Sequence, residues 1–189
     1  MNLYKEDEVF SAHNFSEERF PIGEYEQCTF VNCNFMDVDL SRCSFVDCRF
    51  EGCDLSGCRL DNTAFKTVHF DQCKLLGLRF DTCSKMLLSF TFSKSNLALC
   101  SFYQVKIKGT TFKDCSLKEA DFTEADASGV VFEDCDLGRA IFDQTNLEKA
   151  DLSTAFNFQI DPENANIKNA RFSRNTIEGL LAKYSIRIE

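Results

Sequence analysis

The chain has 189 residues, 44% of them hydrophobic, and a formal net charge of −9 at neutral pH. That length suits one domain with its own core, and the acidic balance argues against direct nucleic-acid binding. The opening "MNLYKEDEVF" is acidic, and no stretch is apolar over the ~20 residues that a bilayer requires, so neither an export signal nor a membrane span is expected.

Residues 1–19 read as an N-terminal cap. Phe10 and Phe15 already keep a beat of five, but Glu8 and His13 stand two residues before them, where small residues stand later in the chain. From Phe20 the beat becomes strict. Phe20, Tyr25, Phe30, Phe35, Leu40, Phe45 and Phe50 begin a column of large apolar residues that continues without a failure to Phe80. A second column runs from Leu87 and Phe92 through Leu97, Phe102, Ile107 and Phe112 to Leu152. The two are out of phase by two residues, so the chain gains two residues near "TCSKMLLSFTF". Lys85 would fall in a central slot there and is expected in a bulged corner.

All eleven cysteines lie two residues before a column position, as Cys28, Cys48, Cys53 and Cys135 do. The same slot also takes Ala, Val and Thr, so it selects small residues, and free Cys is a small buried hydrophobe. A metal site requires converging ligands at short spacing, often with histidine. Here the spacing is C-x4-C, and both histidines lie off the pattern. The cysteine count is odd, the expected compartment is the reducing cytoplasm, and parallel neighbours suit a disulfide poorly. Reduced, structural cysteines are expected, with no metal and no cofactor.

A period of five is neither 3.6 nor 2. A column kept inside for so long requires a corner about every five residues. Four sides make a square coil of twenty residues, and coils stack ~4.8 Å apart, the spacing of paired strands. The expected fold is all-β: a quadrilateral parallel β-helix over residues 20–174, broken near 84–91, with a decorated last coil at 153–174. No Asp or Glu occupies an inward slot between Gly23 and Leu152, in keeping with the cost of burying a carboxylate.

After "FNFQIDPEN" the beat resumes at Ile167 and Phe172. "NTIEGLLAKY" then reads as a short α-helix, with Asn175 as N-cap and Glu178 at capping-box spacing. Ile177, Leu180, Leu181 and Tyr184 share one helical face. With Ile186 and Ile188 of the alternating "SIRIE", they form a candidate capping and dimerisation element over residues 175–189.

Charge is segmented. Residues 1–81 carry 15 acids and 8 bases, net −7; residues 82–113 carry no acid and 5 lysines; residues 114–151 carry 11 acids and 3 bases, net −8. Asp114, Glu119, Asp121, Glu124, Asp126, Glu133, Asp134 and Asp136 all fall at outward positions and form the candidate acidic partner-binding surface. No Ser/His/Asp order, phosphate loop or zinc helix motif is present, and the filled core leaves no room for a substrate. The chain is expected not to be an enzyme.

"AFKTV", "ADFTE", "CDLGR", "TNLEK" and "ADLST" resemble the pentapeptide repeat family, roughly A-(D/N)-(L/F)-x-x. The resemblance covers about residues 20–155 and implies a right-handed β-helix. The tail "FNFQIDPENANIKNARFSRNTIEGLLAKYSIRIE" is similar to the ending of Qnr-type quinolone-resistance proteins and the related mycobacterial MfpA type. That resemblance implies a cytoplasmic homodimer joined through its C-termini. It also implies an acidic surface that imitates DNA and engages a type II topoisomerase, DNA gyrase. The chain lacks the long projecting loops of many Qnr-type proteins. The alternative is a non-catalytic interaction scaffold with an unrelated partner.

Overall fold

The column residues point inward because the chain turns a corner after each of them. The residue two positions on adopts a left-handed backbone: Gln27 (φ 54°), Asn32 (51°), Asp47 (52°) and Asn62 (57°) are typical. For a non-glycine residue that conformation costs about 1–2 kcal/mol. The next coil offsets it, since the corner N–H donates to a carbonyl above, as Gln27 does to Val46 and Asp47 does to Lys66, both at 2.8 Å. Repetition of this corner winds the chain into a four-sided parallel β-solenoid in the computed structural model, which describes residues 3–86, 88–184 and 186–187.

The strands are β1 (Leu3–Glu6), β2 (Val9–Ser11), β3 (Gly23–Glu26), β4 (Thr29–Val31), β5 (Ser44–Val46), β6 (Arg49–Glu51) and β7 (Ala64–Lys66). They continue as β8 (Val68–Asp71), β9 (Phe90–Ser93), β10 (Thr111–Lys113), β11 (Val131–Glu133), β12 (Asp151–Leu152) and β13 (Arg171–Phe172). β1, β3, β5 and β7 form one sheet; the other nine stack as a second. The two remaining sides are held by isolated parallel bridges such as Asn34↔Asp54 and Asp121↔Ile141.

The register places Phe30 against Phe50 and Phe50 against Phe70. Their rings stack at 4.7 and 5.1 Å, while rings on adjoining sides meet edge to face, as Phe45 and Phe50 do at 5.4 Å and 71°. Such aromatic pairs contribute ~0.5–1.5 kcal/mol beyond the area they bury. Phe30, Phe35, Phe45 and Phe50 are fully buried.

Across the phase break the register becomes Phe70↔Phe92. The two extra residues lie between Ser84, whose N–H reaches the Thr63 carbonyl, and Ser89, whose N–H reaches that of Phe65. Lys85 and Met86 are exposed there, as the bulge expectation requires. Leu87, counted in the second column, lies outside the described residues. Phe90 opposes Val68 in a slot that is elsewhere small, and its buried ring packs on Phe80 and Phe92 at 5.2 and 5.0 Å.

At the N-terminus the ladder runs through the segment read as a cap: Leu3 pairs with Gly23 and Val9 with Thr29. A 3-10 turn at Phe15–Glu17 interrupts it, and on the following side the bridges begin one coil later, with Asp39↔Arg59. A Cβ on Gly23 would stand 2.5 Å from the Leu3 carbonyl oxygen, so glycine lets the larger Leu3 occupy a small slot. Glu8 is tolerated in its slot because this end coil is open to water and Lys5 Nζ lies 2.8 Å away.

The C-terminal segment departs from expectation. The α-helix read over "NTIEGLLAKY" is instead two 3-10 turns, Ile177–Leu180 and Ala182–Tyr184. Thr176, not Asn175, flanks the first turn, and no side chain caps it. The Asn175 N–H bonds the Ser173 hydroxyl instead. Gly179 explains the tight winding: its N–H donates to Thr176, its carbonyl accepts from Ile160, and a Cβ on it would collide with Phe158. The segment is pressed onto the last coil, and an isolated helix this short is marginal in water. In that last coil the beat does resume, with Leu152 paired to Phe172.

Candidate partner-binding surfaces

The column and the small slot seal the interior. All eleven cysteines are free and buried. Burial pushes the Cys48, Cys58 and Cys100 thiols up to about 12, so they stay protonated at neutral pH. Among the described residues, no group of three or more His, Cys, Asp or Glu side chains is placed to hold a metal. Among the same described residues, no helix is long and apolar enough to cross a membrane.

The eight candidate acids fall into two chemical groups. Asp121, Asp126 and Asp136 stand one residue before a column position, and their Oδ1 atoms accept the backbone N–H of Thr123 (2.9 Å), Ser128 (3.2 Å) and Gly138 (3.1 Å). These turns recur along the chain with Asp39, Asp54 and Asp151, and with Asn34, Asn96, Asn146 and Asn166. Half-burial alone would raise the Asp136 carboxyl. The Asn157 amide, the Lys118 ammonium and the Gly138 N–H together hold it below the usual carboxylate range. Asp126 is held down in the same way by Ser128 and Asn146.

The other five face water more fully. Asp114, Glu119, Glu124 and Asp134 sit at left-handed corners with φ between 52° and 57°. Asp114 and Asp134 occupy the same corner on successive coils, next to the Lys113↔Glu133 pair. Glu133 meets Lys113 at 2.7 Å, Glu119 meets Arg139 at 3.5 Å, and Glu124 accepts from Gln104 at 2.7 Å. The eight acids therefore do not converge. They ring all four sides of the rod, and Asp114, Glu133 and Asp134 form one local group at a shared corner.

The tail residues separate into a plug and a rim. Leu180 is buried against the end of the core and Leu181 is half-buried. Ile177, Tyr184 and Ile186 are 42–57% exposed. Ile188 lies outside the described residues. Leu181 and Ile186 line an open groove of about 620 Å³ with Phe156, Phe158, Gly179 and Arg139. Sequence reasoning missed Phe156 and Phe158 as groove walls; the break in the beat at "FNF" was their one signal. It also missed the clamp that pins the tail: Lys183 Nζ lies 2.6 Å from both Asp161 and Glu163, and the Tyr184 hydroxyl donates to Glu163 at 2.8 Å.

Residues 24–90, 79–152 and 96–181 match the family model of the pentapeptide repeat region. Among curated proteins, none matches this chain. Among solved structures, a trypsin-treated form of QnrB1, a plasmid-mediated fluoroquinolone resistance protein, is 18% identical with a TM-score of 0.52 over 100% of both chains. A second such form is 21% identical with a TM-score of 0.48, covering 100% of this chain and 98% of that one. HetL, a pentapeptide repeat protein involved in heterocyst differentiation regulation in the cyanobacterium Nostoc sp. strain PCC 7120, is 15% identical with a TM-score of 0.39, covering 90% of this chain and 85% of its own. The first likeness is one of fold. With the repeat matched over most of its length and the coils in the register the repeat requires, this chain belongs to the pentapeptide repeat family.

Proposed function

We propose that this chain binds a type II topoisomerase, DNA gyrase, as a DNA mimic, and so modulates the enzyme or shields it from quinolones. One observation carries the reading: carboxylates stacked outward at coil spacing on a solid rod, as at Asp114 and Asp134. Nine strands at about 4.8 Å per step span ~38 Å. A homodimer joined by the tails doubles that length and suits a symmetric groove built for duplex DNA. Ile177, Tyr184 and Ile186, exposed beside the groove, supply the apolar contacts of that junction. The rod acts in the cytoplasm by shape and charge, with no catalytic group and no cofactor. QnrB1, with which it shares its fold, is described as a fluoroquinolone resistance protein.

A second reading, a scaffold for an unrelated partner, is favoured by the spread of the acids over all four sides and by the structural use of Asp121, Asp126 and Asp136. The deciding experiment titrates the protein into gyrase supercoiling reactions with and without a fluoroquinolone. Inhibition or drug protection at micromolar protein supports the mimic. No binding and no effect at that concentration ends the topoisomerase reading and leaves the scaffold. Replacing Asp114, Asp121, Asp126 and Asp134 together by Asn keeps the turn acceptors, so a fall in affinity reports charge and not fold.

A further inference from the structure

The side of the rod that carries the Asn34↔Asp54 bridge runs through the phase break without interruption, since Lys74 bridges Asn96. A series of corner hydrogen bonds fixes its register. The Asp37 N–H donates to Ser56, Gly57 to Leu76, Gly77 to Ala98, Leu99 to Lys118 and Glu119 to Gly138, at 2.9–3.2 Å. Two outward columns follow. Met36, Ser56, Leu76, Ala98, Lys118 and Gly138 make one; Asp37, Gly57, Gly77, Leu99, Glu119 and Arg139 make the corner column beside it.

The middle of these two columns holds no charge, from Ser56 and Gly57 to Ala98 and Leu99. The matching positions hold Glu51 and Asp71 on the nine-stranded sheet, Lys66 on the four-stranded sheet, and Asp61 and Asp81 on the side of the Asp121↔Ile141 bridge. In the bordering column, Asp54 and Lys74 pair with each other at 3.5 Å. Leu76 is 42% exposed, Met36 47% and Leu99 55%. The backbone does not demand Gly77: Leu99 takes the same positive φ at the next corner, and a Cβ on Gly77 would meet open space. The glycine leaves a hollow beside Leu99, where another chain can approach closely.

We propose that this side is a docking surface for a second copy of the chain, laid alongside and antiparallel. A twofold axis across the strip, between the coils of Leu76 and Ala98, makes the side complementary to itself. It sets Leu76 against Ala98 of the second copy, Leu99 against Gly77, and Met36 against Gly138, so each large side chain meets a small one. It also sets Asp37 against Arg139. Asp37, whose carboxylate lies over Gly57, has no ion pair among the described residues. Glu119 of the second copy falls opposite Gly57, beside that carboxylate. Arg139 reaches its own Glu119 at 3.5 Å with 82% of its side chain exposed, and its planar fork has donors for both acids. A parallel pair would instead set Asp37 level with Asp37 and Arg139 level with Arg139. The strip is about 24 Å long and 10 Å wide, well short of the ~800 Å² per partner of a standard interface. The pair is therefore weak and forms at high concentration. It is separate from the junction of the tails and does not rest on the topoisomerase reading.

The test uses the full chain carrying Ile177→Asp and Ile186→Asp, which takes the tails out of the measurement. Molar mass is read by sedimentation equilibrium from about 5 to 500 μM. The expected result is a rise toward twice the monomer mass. Leu76→Glu with Leu99→Glu should move the midpoint about tenfold or more to higher concentration, and Val9→Glu, on another side, should not move it. Cross-linking reads the register. Asp37→Cys and Arg139→Cys, ~24 Å apart along one rod, are made in separate copies. A short bis-maleimide should join the two when they are mixed and neither to itself. The eleven native thiols are buried and stay out of the reaction. Urea midpoints check that each variant is folded, and the cross-link keeps the test alive if the Leu76, Leu99 variant is not. A constant monomer mass up to the highest concentration overturns the proposal, as does an unchanged midpoint in a folded Leu76, Leu99 variant. Cross-linking of the Asp37→Cys copies to one another would mean a parallel pair and overturn the antiparallel register. Binding to neutral phosphatidylcholine vesicles that the Leu76, Leu99 variant loses, with no rise in mass, would assign the strip to a lipid surface and equally overturn it.

Discussion

Cys58 Sγ lies 2.9 Å from the carbonyl oxygen of Phe35, on the coil below. Thr63 and Thr145 place their hydroxyls in the same relation to Leu40 and Phe122, both at 2.8 Å. Cys48 and Cys53 repeat it to Tyr25 and Phe30 at 3.2 and 3.3 Å. The slot therefore holds a small side chain that can also donate weakly to a carbonyl just past the corner. Cys58→Ala should fold and lose about 1–2 kcal/mol, for a small cavity and the lost contact. Cys58→Ser should recover part of that loss through its hydroxyl. Urea denaturation of the three proteins decides, and a Ser variant no more stable than Ala would mean that the slot selects volume alone.

The thiols also set an alkaline limit. Burial holds Cys48, Cys58 and Cys100 protonated up to about 12, against an ordinary value of 9.0. Above pH 9 the unfolded chain releases these protons while the native chain keeps them. The stability contributed by the protonated thiols is complete below 9 and is lost as pH rises toward 12. Each thiol adds a slope of up to about 1.4 kcal/mol per pH unit in that window. Urea midpoints from pH 7 to 10.5 should fall steeply above 9, and the Cys48→Ala, Cys58→Ala and Cys100→Ala triple variant should flatten the fall. Native protein at pH 8 should resist a thiol-alkylating reagent that labels all eleven cysteines once urea is added.

Phe50 is clasped between Phe30 and Phe70 and is fully buried. Phe50→Asp should abolish folding, because the carboxylate finds no partner there. Phe50→Leu should fold, since Leu40 and Leu55 serve the same role on other sides, at a cost well below the ~3–5 kcal/mol of Phe→Ala. Circular dichroism and urea midpoints check both, and a soluble, fully folded Asp variant would place Phe50 on the wrong face.

Asp136 tests the turn acids. Asp136→Ala removes the acceptor for the Gly138 N–H and the Asn157 amide and the partner of Lys118, and should cost about 1 kcal/mol or more. Asp136→Asn keeps the backbone bond and should cost less. Because the folded carboxyl sits below its unfolded value, its contribution is complete above the ordinary carboxylate range and is lost as pH falls through the folded value. The gap between parent and Ala variant should therefore shrink at low pH. An equal gap at pH 3 and pH 7 would mean that the carboxylate charge plays no part.

These tests mark what the sequence exposes and what it hides. The column from Phe20 to Leu152 and the small slot are legible because period and side-chain size alone define them. The corner conformation is not: Arg42, Leu99 and Lys149 take positive φ although their residue types argue against it, because the ladder above fixes them. The tail misled because Ile177, Leu180, Leu181 and Tyr184 have helical spacing. Contact of Gly179 with Phe158 and the clamp on Lys183 decide its winding, and both are long-range. Among the acids, period marks every one as outward. It even separates the slot before the column, held by Asp121, Asp126 and Asp136, from the corner slot of Asp114 and Asp134, but it does not tell that the first closes turns while the second faces water.

The plug and rim of the tail allow capping and association to be tested apart. Leu180 is nearly sealed against the end of the core, so Leu180→Asp buries a lone carboxylate and should unfold the last coil. Ile177 and Ile186 are exposed in the single chain, so Ile177→Asp with Ile186→Asp should leave the melting temperature of the coil almost unchanged. If the tails join two rods, that double variant should be monomeric by light scattering at concentrations where the parent is a dimer. Its affinity for gyrase should then fall far more than twofold, because one rod engages only half of a symmetric groove and the gain from linking two sites disappears. A folded double variant that stays dimeric would move the junction elsewhere on the rod. A monomeric variant that binds gyrase as tightly as the parent would separate association from topoisomerase binding and leave the single rod as the ligand.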